Sequence, residues 1–333
     1  MEIGGTHLVW ILAVFLASAA AVRLLLVWLQ NRAILDRPNE RSSHSVPTPR
    51  GGGLAVMAVV LCGWTFLALR EGAPTRLGVL ILASLVLIGV SWLDDRRPGG
   101  MSPLWRLIVQ VGAVLLGLAA LPPGPVFQGL LPGWLDVVAA AFLWLWFVNL
   151  FNFMDGIDGI TGVETIAIAS GMALMVNLAA LHPDLAALSL VLAASALGFL
   201  VWNWHPAKIF LGDVGSVPLG FLLGWLLLTL AALGQWAAAL ILPAYYLADA
   251  TITLCRRALK REKIWQAHRS HFYQKAVQQG WSHAQVSTRI GFTNAALIAL
   301  AATSLERPLA ALLAAAALIA GLLFLLAQPR HPS

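Results

Sequence analysis

Eleven apolar runs dominate the chain, near 6–29, 54–70, 76–93, 104–121, 135–152, 161–181, 185–201, 217–234, 236–254, 290–304 and 308–327. About 17 to 25 mostly apolar residues carry a helix across a bilayer, and inside it every backbone polar group must be paired within the protein. The runs therefore predict an all-α polytopic integral membrane protein, a single membrane domain over 1–333 with about eleven transmembrane helices, the run at 290–304 being the weakest. Composition agrees: 59% of the 333 residues are hydrophobic and 11% charged, far from the balance of soluble domains. The first run lacks a small-residue cleavage site and is as long as an ordinary span, so it is expected to be retained. Cys62 lies inside one run and Cys255 at the end of another, so no disulfide framework is implied.

Alternate loops fall into two sets. One set (30–53, 94–106, 151–160, 202–216, 255–289 and the tail after 327) holds 17 of the 21 Lys and Arg residues, while Arg70, Arg76 and Arg307 lie in the other and Arg23 within the first run. The positive-inside rule places the basic set in the cytoplasm. The net charge of +6 follows from this asymmetry and gives no reason to invoke nucleic acid; basic loops beside spans are topology signals and contacts to membrane lipids.

The chemistry concentrates in these basic loops. Asn149 to Gly159 reads N-L-F-N-F-M-D-G-I-D-G at the end of the fifth run. Asn149 and Asn152 are three apart and share a helix face, Asp155 and Asp158 fall on the following turn, and Gly156 and Gly159 let the backbone turn. An ionisable group at membrane depth is costly unless it faces a polar cavity or a partner. Such an oxygen-rich cluster suits a hard cation such as Mg²⁺, the plain alternative being a polar helix end with a turn.

Four other loops add to it. At 47–53, P-T-P-R-G-G-G ends where the second run begins, so backbone N–H groups and Arg50 can face an anion at a helix N-terminus, the plain alternative being a basic topology loop. Asp94 and Asp95 close the third run as adjacent like charges, a pattern that fits a general base, a metal site or a solvated pair beside Arg96 and Arg97. Residues 203–216 place Asp213 between Gly212 and Gly215 at the start of the eighth run, with the Ser216 hydroxyl nearby, where it can hold a metal or cap the helix. In the largest loop, H-R-S-H at 268–271 puts His268 and His271 on one face if helical, with Arg269 between them favouring phosphate over zinc. An amphipathic basic helix lying on anionic lipid is the plain reading for Arg256 to Lys263. Asp249, a lone acid inside the ninth run, either pairs with a neighbour or shapes the site.

These five motifs, in this order, resemble the bacterial polyprenyl-phosphate N-acetylhexosamine-1-phosphate transferases, relatives of the phospho-MurNAc-pentapeptide translocases, over most of the chain. The resemblance implies transfer of a sugar-1-phosphate from a UDP-N-acetylhexosamine to undecaprenyl phosphate, giving undecaprenyl-diphosphate-sugar and UMP with Mg²⁺, or Mn²⁺ in its place, at the cytoplasmic face of a bacterial inner membrane. It implies Asp213 as metal ligand with Asn152 as the second, and Asp155 and Asp158 helping to hold metal or nucleotide. Phe210 would lie against uracil, and Asp94 and Asp95 would orient or deprotonate the lipid phosphate. His268, Arg269 and His271 would hold the diphosphate, with Arg50 and Asn149 on the same substrates. H-R-S-H departs from the consecutive histidines of the translocase branch, which favours an initiator of O-antigen or another surface glycan over a peptide-bearing substrate. A homodimer is left open. The rival classes are a transporter, which would carry its acids near the bilayer midplane with paired repeats, and a metal-dependent membrane phosphatase.

Overall fold

A computed structural model describes residues 5–32, 35, 36, 46–70, 74–97, 100–263, 266 and 268–329. Most of the loop between the first two runs, including Arg37, Asn39 and His44, lies outside the described residues, as do Pro98 and Gly99. Among the described residues thirteen helices follow one another: α1 (Gly5–Asn31), α2 (Gly53–Arg70), α3 (Pro74–Arg96), α4 (Pro103–Leu118), α5 (Gly133–Phe153), α6 (Ile160–Leu178), α7 (Pro183–Asn203), α8 (Asp213–Ala232), α9 (Trp236–Ile241), α10 (Ala244–Leu259), α11 (Phe272–Gln278), α12 (His283–Thr303) and α13 (Pro308–Leu326). Between α1 and α2 sits a two-stranded antiparallel ribbon, β1 (Leu35–Asp36) with β2 (Thr48–Pro49).

Among the described residues, eight helices are long and apolar enough to cross a membrane: α2, α3, α5, α6, α7, α8, α13 and the main part of α1. Three of the eleven expected runs fall short of that length and apolarity, each for a local reason. The fourth run forms α4, which is apolar but only 16 residues long. The ninth run is divided into α9 and α10 around Pro243, whose ring fixes φ and removes a backbone donor. The tenth run belongs to a longer helix, α12, whose first turns carry His283, Gln285 and Arg289 on a Ser282 capping box.

The centre of the bundle is α8, buried continuously from Val214 to Leu227 and packed against α2, α3 and α5. Tryptophans tie it to its neighbours, because an indole N–H in an apolar interior must find an acceptor. Trp144 of α5 donates to the Phe221 carbonyl at 2.9 Å and stacks on that ring, and Trp225 donates to the Ala120 carbonyl at 3.1 Å. On the far side α6 packs on α7 and α12, where buried Glu164 accepts from Asn294 Nδ2 at 2.7 Å. The outer helices turn large apolar side chains outward, Leu24 of α1 and Leu313 of α13 being 72% and 73% exposed, as lipid-facing surfaces require.

Candidate active site

The ends of α3, α5 and α8 and the segment after β2 meet at one end of the bundle. The segment 49–53 lies backbone to backbone along 210–211: Phe210 N donates to Pro49 O at 2.8 Å, Gly52 N to Phe210 O at 2.8 Å and Gly53 N to Leu211 O at 2.9 Å. Side chains would prevent this approach, since a Cβ on Gly53 would lie 2.3 Å from the Gly215 Cα. The glycine amides are thus engaged by carbonyls of the neighbouring motif and do not face an anion, which corrects that expectation. What the contact achieves is the delivery of Arg50 onto Asp213.

Arg50 Nη2 stands 2.6 Å from Asp213 Oδ1 and 3.3 Å from Asp95 Oδ1. Arg106, at the start of α4, reaches Asp94 Oδ2 at 3.4 Å and Asp213 Oδ2 at 3.8 Å. Asp94 and Asp95 occupy the last turn of α3, where successive residues point apart, so each acid meets a different arginine. Asp94 is nearly buried and also accepts from the Met101 amide. Asp94, Arg106, Asn149, Asn152 and Asp213 line one cleft of about 220 Å³, with Phe153 and Val217 among its apolar walls. Asn152 Nδ2 donates to Ser216 Oγ at 2.8 Å and Asn149 Nδ2 to Gln110 Oε1 at 2.8 Å, so both carboxamides of α5 are oriented by partners on α8 and α4.

Asp155 belongs to the same group. It accepts from Thr161 Oγ1 at 2.7 Å. Burial pushes its carboxyl up to about 6; the Thr161 hydroxyl and the Arg50 charge oppose that shift, and the Asp213 charge adds to it.

Asp158, three residues on, points into a different cluster. Its Oδ2 lies 2.6 Å from His205 Nδ1, 3.2 Å from His283 Nδ1 and 3.2 Å from the Ala207 amide. Burial works against its charge, but the hydrogen bonds from His283 and His205 prevail and hold its carboxyl below the ordinary carboxylate range. These three residues have the donor set of a metal centre, with ligand atoms within 4.8 Å of one another. Yet His205, His283 and the Ala207 amide all meet Asp158 at a single oxygen, and 2.6 Å is a hydrogen-bond length, shorter than the roughly 3.3 Å between neighbouring ligands of a tetrahedral zinc with bonds near 2.0–2.1 Å. The geometry is that of a carboxylate strut joining the 154–159 turn to the 204–210 loop and to α12.

H-R-S-H is not helical: α11 begins at Phe272, after the motif. The expected shared helix face gives way to a docked loop. Asp249, fully buried in α10, accepts from Phe272 N at 2.9 Å and Tyr273 N at 3.2 Å, from Tyr245 Oη at 3.1 Å and Thr253 Oγ1 at 3.2 Å, and meets His271 Nδ1 at 3.2 Å. Of the two readings of Asp249, pairing with a neighbour is the one observed. His271 is 2% exposed, its ring facing that of Tyr273, whereas His268 is half-buried. Burial, with the His271 and Arg257 charges, lowers His268 to about 4, so it is neutral at physiological pH. Its Nδ1 lies 2.8 Å from Ser270 Oγ. Tyr273 Oη in turn donates to Phe153 O at 3.1 Å and fills the space beside Gly156, where a Cβ would lie 2.2 Å from it. The H-R-S-H loop is thereby tied to the end of α5 and the D-G-I-D-G turn. Arg269 presents its carbonyl to Gln278.

Arg106, Gln110, His205 and His283 were not assigned to the site from sequence, whereas Ser216 and Asp249 were singled out there without a partner. Arg106 counted only towards topology, and His205 sat in the 203–216 stretch already singled out.

The arrangement is a polar cleft at one end of an apolar bundle, with carboxylates, carboxamides and guanidinium groups from four segments around it. Comparison with known proteins makes the class specific. The profile of glycosyl transferase family 4 matches residues 77–231. The chain is 30% identical over 294 residues to the decaprenyl-phosphate N-acetylglucosaminephosphotransferase of Mycobacterium tuberculosis, covering 75% of this chain and 70% of that protein. It is 29% identical over 306 residues to a probable undecaprenyl-phosphate N-acetylglucosaminyl 1-phosphate transferase of Bacillus subtilis, covering 83% and 80%. A phospho-N-acetylmuramoyl-pentapeptide-transferase of a Synechococcus strain is 32% identical over 233 residues, 64% of each chain. The chain belongs to glycosyl transferase family 4.

Proposed function

We propose that the protein transfers an N-acetylhexosamine-1-phosphate from a UDP-sugar to undecaprenyl phosphate on the cytoplasmic face of a bacterial inner membrane, releasing UMP and starting a lipid-linked surface glycan of the O-antigen kind. The observation that carries this reading is the single cleft lined by Asp94, Arg106, Asn149, Asn152 and Asp213, with Arg50 at its edge. In the net reaction a phosphate oxygen of the lipid bonds to the sugar-bearing phosphorus, and the bond from that phosphorus to the oxygen bridging to UMP breaks. Two anions must meet, so the site has to supply positive charge without excluding either.

The donor set fits a hard divalent cation, because the cleft presents carboxylate and carboxamide oxygens from three helices, and two of its acids rest on arginines. Asp213 and Asn152 would hold Mg²⁺, which when bound supplies charge neutralisation to the phosphates. Arg50 and Arg106 hold Asp213 and Asp94 in place and offer donors to incoming phosphate. Asp94 and Asp95 orient the acceptor phosphate more than they deprotonate it, since a phosphate with a second pKa near ~6 is already mostly ionised at pH 7. Phe210, at the turn joining the first and fourth motifs, offers its ring to uracil, and His268 and Arg269 face the diphosphate, with His271 anchoring their loop. Asp158 acts through the fold, by fixing the turn that carries Asp155.

The acceptor chain also has a place. An apolar groove of about 430 Å³ runs between α5, α8, α9 and the 126–130 segment, from the far end of the bundle to Trp146 and Phe147 midway along α5. Asn149 and Asn152, the next polar positions of α5, line the phosphate cleft. One helix thus connects an apolar seat to a polar one, as an acceptor with a long hydrocarbon tail and a phosphate head requires.

The test is incubation of purified protein with UDP-N-acetylglucosamine, undecaprenyl phosphate and Mg²⁺, following UMP and lipid-linked sugar. Both should appear together and vanish with EDTA. Phosphate release from either substrate alone would establish a phosphatase instead, and no turnover of any UDP-N-acetylhexosamine would refute the transferase reading.

A further inference from the structure

A second charged cleft, of about 310 Å³, opens between the last turn of α10 and the start of α11, and it shares no lining residue with the phosphate cleft described above. Its walls carry Arg256, Lys260 and Lys275, with the Ser270 and Thr253 hydroxyls. The remaining charges, Arg257 and Glu262, satisfy each other at 2.8 Å, and Arg257 also binds the Lys263 and Gln266 carbonyls. Among the described residues, Arg256, Lys260 and Lys275 form no ion pair, so the cleft holds three uncompensated positive charges. Arg256 is held over the Phe272 ring at 4.9 Å, which leaves its charge in place without neutralising it.

What lies beside this cleft identifies its occupant. Ile252, Cys255 and Leu259 recur at i, i+3 and i+7 on α10 and are all exposed, Leu259 at 85%. An apolar stripe that ends among basic residues at a helix terminus is what a helix presents where it leaves hydrocarbon for the headgroup layer. Free phosphate or a nucleotide would use the cations and leave the stripe idle; a phospholipid uses both. We propose that this cleft seats the phosphate of an anionic phospholipid, with its acyl chains along Ile252, Cys255 and Leu259. The proposal rests on the membrane location of the chain and not on the transferase reading. Because Ser270 stands in the cleft wall and binds His268, and Phe272 lies under Arg256, the seated lipid braces the H-R-S-H loop beside its Asp249 anchor, to which the cleft residue Thr253 is bonded.

The test uses the full chain, tag removed, exchanged into mild non-ionic detergent and analysed by native mass spectrometry with phosphatidylglycerol or phosphatidylcholine of matched acyl chains. The wild type should retain phosphatidylglycerol over phosphatidylcholine. Lys260→Gln with Lys275→Gln should lower phosphatidylglycerol affinity roughly thirtyfold, the product of two basic residues at the value usual near an anionic surface. Equal retention of the two lipids, or undiminished phosphatidylglycerol on the double variant, overturns the proposal. Displacement of the lipid by millimolar inorganic phosphate would show a free-anion site, and loss of UMP binding in the double variant would assign the cleft to the nucleotide; either result overturns it. Should the double variant melt early, Lys275→Gln alone, which leaves α10 unchanged, carries the same comparison with about a fivefold effect.

Discussion

Replacing Asp249 with Asn should undock the H-R-S-H loop while leaving the bundle folded. The carboxylate accepts from two backbone amides of the loop, Phe272 and Tyr273, and from two hydroxyls of α10, and it faces the His271 imidazole. A carboxamide can keep only one acceptor oxygen. The least costly placement puts its NH₂ towards Tyr273 N and Tyr245 Oη, where the hydroxyl can turn and accept but the amide cannot, and it removes the charge from every remaining bond. Hydrogen bonds to charged groups contribute about 1.5–3 kcal/mol each, so a loss of roughly 3 kcal/mol in docking is expected, on the order of a hundredfold in the docked population. Turnover should fall about ten- to a hundredfold, and the Phe272 and Tyr273 amides should lose protection in hydrogen exchange. Amides of α8, which Asp249 does not touch, should keep theirs. Unchanged exchange at 272–273 together with unchanged turnover would refute the idea that this acid holds the loop.

Three further outcomes follow from the site. Asp213→Asn should lower transfer at least ~10²–10³-fold at any practical Mg²⁺ concentration, since a carboxamide keeps the shape but not the charge; near-normal initial rates would remove Asp213 from the metal shell. Because the Asp155 carboxyl sits near 6, above the ordinary carboxylate value, it takes up its proton as pH falls through that range. The pH profile of kcat/KM should therefore drop on the acid side from about pH 6, the limb should move to lower pH as Mg²⁺ is raised, and Asp155→Asn should lack it. A reporter fused after Arg269 should be active in the cytoplasm and one fused near Pro132 outside, and an outward Arg269 fusion would sink the site assignment because nucleotide sugars are cytoplasmic.

The helical membrane architecture and the site motifs were legible in sequence because both depend on local rules. Apolar length marks a span, and acids, amides and glycines at span ends mark a polar cleft, so Asp94, Asn149, Asn152 and Asp213 could be expected together and do line one cavity. The pairings were not legible. Arg50 meets Asp213 across 163 residues, and Asp249 meets the 271–273 amides from another helix, contacts that only tertiary packing creates. His283 carried no signal at all, standing as an ordinary polar residue at a helix start. Asp155 and Asp158 show the same limit in reverse. Three residues apart in one motif, they part company because the turn directs one towards Arg50 and the other towards His205 and His283.

Adjacent acids were expected to repel, with a cation or neighbouring arginines as the remedy, and the arginines that answer come from other segments. Arg106 serves Asp94, Arg50 serves Asp95, and both reach Asp213. Among the described residues, three carboxylates meet two guanidinium groups, an excess of one negative charge that becomes two once Asp155 ionises. On the proposed reading a divalent cation would bring these groups close to neutrality and let two phosphate groups approach each other. The balance is set by Arg50, which the Gly53–Gly215 contact brings to Asp213, so the glycines of the first motif serve the electrostatics of the fourth.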